Sequence, residues 1–154
     1  MDSGRQARRV LIADDSPVIR RMLGMVLNAS DGLELVGEAE DGAQALDLVA
    51  EVRPDALIID NHMPVMTGIE AIRRIRANGN PLEIIMFSSD PAVEDESLRS
   101  GADTFFLKGE VGPVDLLDFL LGSPTPQRPA TVGHAVVRAL GRSRPPQAGE
   151  KPQH

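Results

Sequence analysis

The chain has no cysteine, no tryptophan and no tyrosine, and it carries only four phenylalanines. The missing thiols exclude disulfide frameworks, thiolate metal sites and cysteine nucleophiles, and they fit a cytoplasmic protein. Without indole or phenol groups there is no strong intrinsic fluorescent probe. No apolar run approaches the roughly 20 residues needed to cross a bilayer, so no membrane is expected. The first residues, "MDSGRQARR", are basic but are not followed by an apolar stretch, which argues against a secretory signal.

What is present is an ordinary globular balance, 42% hydrophobic and 25% charged over 154 residues, enough for one domain with a real core. The formal charge of −7 is unevenly spread. From Ser123 onward Arg128, Arg138, Arg142, Arg144 and Lys151 stand against Glu150 alone, so the tail is basic and the body strongly acidic. An acidic body is a poor non-specific binder of nucleic acid, which is not expected as a partner of this chain. The Pro/Arg-rich tail, 123–154, reads as disordered, with one short amphipathic stretch through Val132, Val136 and Leu140. Residues 1–8 read as an N-terminal arm and 9–122 as the folded domain.

Within 9–122 the apolar pattern changes period repeatedly. "RVLIA" (9–13), "LELVGEA" (33–39), "ALIID" (56–60), "LEIIMFS" (82–88) and "DTFFLK" (103–108) read as strands. Helical spacing follows each: Ile19 to Leu27, Ala45 to Val52, Ile69 to Ile75, a weaker polar stretch from Val93 to Ser100, and Val114 to Leu121. Ser16-Pro17 suits a helix start, and Asp41 to Gln44 has the spacing of a capping box. Five strands alternating with five helices predict an α/β fold, a doubly wound five-stranded parallel sheet.

The informative polar residues are those that end the apolar runs: Asp14 and Asp15 after strand one, Asp60 after strand three, Ser88 after strand four and Lys108 after strand five. In a parallel sheet these share the carboxyl edge, where such folds place their sites. Singly, each has a structural explanation as a turn, a helix cap or a solvated lysine. Together, three acids repel one another, and one lysine cannot neutralise them, so a cation is implied. Hard, all-oxygen ligands suit Mg²⁺. A carboxylate beside a metal, a lysine and a hydroxyl is arranged for phosphoryl transfer, with Asp60 the best-placed nucleophile.

At this point "LIADDS", "LIIDNHMPVMTGIEAIRRIR", "IIMFSSD" and "GADTFFLK" resemble the response-regulator receiver domain of two-component signalling, over about Arg9 to Gly122. The resemblance implies the flavodoxin-like (βα)5 receiver fold, with Asp60 as phosphoacceptor. It implies Mg²⁺ held by Asp15 and Asp60 and by the backbone carbonyl of His62, with Asp14 completing the acidic pair. Ser88 and Lys108 would hold the phosphoryl group, and Ser88 and Phe105 would form the switch. The implied donor is a histidine kinase phosphohistidine. The implied output is a change on the face made by the fourth helix, fifth strand and fifth helix, acting on a downstream protein or through a homodimer. Such a chain is a signalling phosphoacceptor with modest self-catalysis rather than a metabolic enzyme.

The sequence departs from the family pattern at three places. Gly109 stands where most receivers have proline after the lysine. A cis bond before a non-proline residue costs about 2.5–4 kcal/mol, so the Lys108–Gly109 bond is expected to be trans. Ser88 replaces the commoner threonine, and Phe105 the commoner tyrosine. "VGEAEDGAQAL" and "FFLKGE" look most like the subgroup fused to a helix-turn-helix output domain, although no such domain is legible after Gly122. The His62 imidazole is expected to flank the site or face solvent, without a metal or catalytic role. Met63, Pro64 and Met66 are expected to pack the loop, and Gly68 to relieve crowding. The competing readings are a phosphorylation-independent interaction module and the receiver part of a DNA-binding regulator. A haloacid-dehalogenase-type phosphatase needs an aspartate where His62 stands.

Overall fold

The computed structural model describes residues 6–122. Most of the expected arm, and the whole expected tail with Val132, Val136 and Leu140, lie outside the described residues. The elements are β1 (Arg8–Ala13), α1 (Pro17–Asn28), β2 (Leu33–Ala39), α2 (Gly42–Val52), β3 (Ala56–Ile59), α3 (Gly68–Ala77), β4 (Glu83–Ser88), α4 (Glu94–Ser100), β5 (Thr104–Leu107) and α5 (Pro113–Leu120). All strand pairs are parallel, in the order β2-β1-β3-β4-β5. This is the doubly wound (βα)5 sheet that the alternating periods predict.

Successive strand side chains point to opposite faces. Leu11, Ala13, Leu57, Ile59 and Met86 enter a layer with residues of α2 and α3. Val10, Ile12, Ile58, Ile85 and Phe106 enter the opposite layer with α1 and α5. β1, β3 and β4 are covered on both sides, which explains their unbroken apolar runs. Phe106 meets Phe119 of α5 edge to face, ring centroids 5.1 Å apart.

The helix starts follow the sequence signals closely. Ser16 Oγ accepts from the Ile19 N–H with Pro17 in the first turn, and Asp41 Oδ1 accepts from the Gln44 N–H. The Gln44 side chain, however, reaches the N–H of Glu40, one residue before the cap, so the capping box is offset. The fourth helix differs from expectation. Asp90 Oδ1 accepts from the Ala92 N–H and starts a short 3-10 turn, Pro91–Val93, before α4 begins at Glu94. Strand and helix ends otherwise lie within a residue or two of the predicted ones. Arg8, assigned to the arm, opens β1, and Asp103 falls just before β5.

Two helices carry unusual features. The solvent side of α1 presents Val18, Met22 and Met25. In α4 the one buried residue is a serine, Ser97. Arg76 of α3 fixes the far end of α4, donating to the carbonyls of Gly101, Asn80 and Leu82 and to the Asp103 carboxylate. Among the described residues, no helix is long and apolar enough to cross a membrane.

Candidate functional site

β1 pairs with β2 on one side and β3 on the other, so the strand order reverses between β1 and β3. The chain after β1 runs to α1, and the chain after β3 runs to α3 on the opposite face. Their carboxyl ends therefore open a crevice at this switch point. The Asp60 N–H donates to the Ala13 carbonyl, which sets Asp60 beside Asp14. At the other side of β3, Ser88 ends β4, and the Lys108 N–H donates to the Ser88 carbonyl. Four strand ends thus deliver the expected residues to one edge.

Asp14 and Asp60 are buried and Asp15 is exposed. One carboxylate oxygen from each lies within 4.8 Å of the others. Lys108 Nζ lies 2.6 Å from Asp14 Oδ2 and 3.3 Å from Asp60 Oδ2. The other Asp14 oxygen accepts from the Ser16 N–H, and Asp60 Oδ1 accepts from the Asn61 N–H. Burial pushes the Asp60 carboxyl above its usual range; Lys108 opposes that shift and Asp14 reinforces it. The Lys108 ammonium is shared by the two buried acids beside an exposed third, and the ligand atoms the three side chains offer are all oxygens. That donor set fits a hard divalent cation such as Mg²⁺.

Ser88 is fully buried, and its Oγ accepts from the Asp90 N–H at 3.1 Å. This leaves the Ser88 hydroxyl proton available to another acceptor. Phe105 is buried in the layer with Ile59 and Met86, where its ring makes packing contacts. The Lys108–Gly109 bond is trans, and Gly109 takes φ +89°. The His62 side chain faces outward, as expected, but it has a partner: Nε2 lies 3.1 Å from Asp90 Oδ2.

The loop from Asp60 to Gly68 is held by groups that sequence reasoning passed over. Asn61 is buried; its Oδ1 accepts from the Ile69 N–H, and its carbonyl accepts from the Met63 and Gly68 N–H groups. A buried-looking amide directly after a strand-end acid was the available signal. A Cβ at Gly68 would stand 2.1 Å from the Asp60 carbonyl oxygen, and one at Gly42 would stand 2.4 Å from that of Met66. Gly68 therefore permits a backbone crossing, as the crowding argument anticipated. Val65, 83% exposed, sits in the left-handed region at φ +69°, a costly place for a β-branched residue. Met63 is buried beneath the loop. On the α1 and α5 side of Lys108 lies a cavity of about 250 Å³, walled by Ile19, Met22, Phe87, Lys108, Val111 and Pro113.

Comparison with known proteins gives a consistent picture. The family model "Response regulator receiver domain" matches residues 10–120. A protein-glutamate methylesterase/protein-glutamine glutaminase of Nocardioides sp. is 51% identical over 81 residues, 53% of this chain and 22% of that protein. The chain thus spans about a fifth of the length of this curated relative, and similarly small shares of others like it. The response regulator domain of Thermotoga maritima CheB superposes with a TM-score of 0.70 at 30% identity, covering 80% of this chain and 100% of that one. The signal receiver domain of NarL from Mycobacterium tuberculosis gives 0.71 at 31% identity, covering 76% and 95%.

Proposed function

Since the chain belongs to the response regulator receiver domain family, we propose that Asp60 is its phosphoacceptor and that a histidine kinase phosphohistidine is the donor. The observation that carries this is the buried Asp60 carboxylate, raised toward protonation, with Lys108 Nζ 3.3 Å away inside a cluster of three acids. An Asp60 oxygen attacks phosphorus as the donor's P–N bond breaks, and the electron pair returns to the donor imidazole. Lys108 follows the phosphoryl oxygens as they arrive. Ser88 donates a hydrogen bond from its hydroxyl to one of them while still accepting from the Asp90 N–H. Asp14, Asp15, Asp60 and the His62 carbonyl would hold Mg²⁺, which when bound supplies charge neutralisation at those oxygens. The chemistry is phosphoryl acceptance and its hydrolytic reversal, not turnover of a metabolite.

Ser88 and Phe105 carry the change outward to the α4-β5-α5 face, where a downstream protein or a second copy would read it. Phe105 has no hydroxyl, so its part is repacking. The exposed Val18, Met22 and Met25 of α1, next to the cavity that reaches Lys108, give a donor helix an apolar seat beside the nucleophile. Similarity to protein-glutamate methylesterases favours a catalytic domain of that class as the output, over DNA binding.

Incubation with acetyl phosphate and Mg²⁺, followed by intact mass, tests the central reading. Wild type gains the mass of one phosphoryl group and Asp60→Asn does not. No gain on wild type, or equal gain on Asp60→Asn, overturns it. Binding of a separate methylesterase-type domain that responds equally to phosphorylated and Asp60→Asn protein overturns the output reading.

A further inference from the structure

The exposed apolar side chains of this domain are not scattered. Among the described residues six large ones stand exposed, and all but Val65 lie on α1 or on α5 and its cap: Val18, Met22 and Met25, then Val114 and Leu121. Those of α1 fall at i, i+4 and i+7, and those of α5 at i and i+7, so each helix turns one stripe to solvent. The two helices cover the same layer of the sheet. Toward the carboxyl edge, Met22 and Pro113 wall one cavity. Toward the amino edge, Leu121 lies over Gly32, where a Cβ would stand 2.6 Å from its Cδ2. The face therefore runs the length of both helices and finishes beside Gly122, where the described residues end.

The sequence after Gly122 carries a stripe that matches this face. In "TVGHAVVRALGR" (131–142), Val132, Val136 and Leu140 recur four apart, with Ala135 and Ala139 at neighbouring helical positions. As a helix, Val132 to Leu140 would span about 12 Å, against about 10 Å from Val18 to Met25. The connector from Ser123 to Thr131 contains Pro124, Pro126 and Pro129. Extended, it reaches about 28 Å, more than the roughly 18 Å length of α1. Charge agrees as well. Arg138, Arg142 and Arg144 meet no acid before Glu150. On the face, Asp118 stands exposed between Val114 and Leu121, and Asp31 stands exposed at its amino-edge end. Arg20 of α1 is turned toward the Asp14 carbonyl and Glu38, and helical spacing puts Arg21 on the flank away from Pro113.

We infer that residues 131–142 dock as a helix on the α1–α5 face of their own chain, with Val132, Val136 and Leu140 seated against Val18, Met22 and Met25. A helix this short draws its stability from packing rather than from propensity, so docking and helix formation are one event. The connector makes a weak contact sufficient. Short linkers give effective concentrations in the millimolar range, so a contact with a Kd of roughly 0.2 mM is closed about five times for each time it is open. The docked helix covers Met22 at the rim of the cavity that reaches Lys108. That is the seat given above to a donor helix, and a protein donor would have to displace the tail to use it. This consequence rests on the donor reading; the docking does not.

The test uses the full chain without Mg²⁺ or phosphodonor. Dilute hydrogen peroxide converts accessible methionines to sulfoxides, and peptide mass spectrometry reads each site. Met22 and Met25 are expected to oxidise about three- to tenfold more slowly in wild type than in the double variant Val136→Asp, Leu140→Asp. Met66, half-buried and remote from the face, is expected to oxidise equally in both. The lack of cysteine in the chain allows a second readout. Paired with Met22→Cys, Val136→Cys is expected to form an intrachain disulfide about threefold faster, or more, than His134→Cys, which falls on the opposite side of the tail helix. Val136→Cys paired with Glu51→Cys of α2, on the other side of the sheet, is expected to be slow as well. Equal oxidation in wild type and the double variant overturns the docking. Protection that fades on dilution assigns the face to a second copy and overturns it too. Equal bridging by Val136→Cys and His134→Cys overturns the stripe. No readout involves Asp60, so a failure of phosphate uptake overturns the phosphoacceptor reading and leaves this result standing.

Discussion

Val65→Asn should stabilise the protein. Val65 lies at φ +69° on the loop above the acidic crevice and is 83% exposed. Left-handed backbone costs an ordinary L-residue roughly 1–2 kcal/mol, and a β-branched one fares worst because its branched Cβ crowds the carbonyl. The exposed side chain contributes little burial, so almost nothing offsets this cost. Asparagine tolerates the conformation and should recover about 1 kcal/mol. Glycine removes the strain as well, but it gives back part of the gain through roughly 0.4–1 kcal/mol of extra freedom in the unfolded chain. The expected order of stability is therefore Asn above Gly above Val, with Ile no better than Val. Urea unfolding followed by far-ultraviolet circular dichroism reads the order directly, since the chain lacks tryptophan and tyrosine. The midpoint should move at constant slope. In a thermal melt the asparagine variant should gain about 3–5 °C. If Asn and Gly both leave the midpoint unmoved or lower it, the strain argument fails.

Gly68→Ala should destabilise by about 1–3 kcal/mol, because the new methyl meets the Asp60 carbonyl rather than a yielding side chain; the same urea titration measures it. Asp60→Asn should raise the stability of the free protein at neutral pH. The folded-state pKa of Asp60 is raised, so its contribution is full below the ordinary carboxylate range and is lost as pH rises through the folded value. Unfolding midpoints of wild type and Asp60→Asn should then converge in acid and diverge toward neutral pH; a constant gap would refute this. Mg²⁺ should stabilise wild type by about 1.4 kcal/mol at ten times its dissociation constant. Asp15→Asn should weaken that response in a thermal-shift titration, and an unchanged response would remove Asp15 from the proposed ligand set.

The sheet was legible because β1, β3 and β4 are apolar without interruption and end abruptly in Asp14, Asp60 and Ser88. Periodicity assigns the elements, and parallel topology then forces those ends to one edge. The lysine was legible for the same reason. What stayed hidden depends on side chains that meet only after the loops close. His62 and Asp90 each look like ordinary loop residues. Arg76 sits in "AIRRIR", where charge at helical spacing suggests a solvated face, yet its guanidinium holds three carbonyls. The break before α4 was missed because Pro91 and the polar run after it are compatible with either one helix or a 3-10 turn leading into one. Local propensity does not choose between them; the Asp90 contacts do.

Those contacts and Arg76 give α4 two unlike ends. Its heel, at Gly101, is pinned by a charged fork to α3. Its toe, at Val93, has no side-chain cap and joins the strand end that delivers Ser88. Between them only Ser97 is fully buried, while partly buried Leu98 packs on the core and Arg73 reaches Glu96 and Ser100. The helix is therefore held to α3 more by arginine contacts than by buried apolar surface. Added salt should loosen such a seat more than it loosens the apolar layers on either side of the sheet.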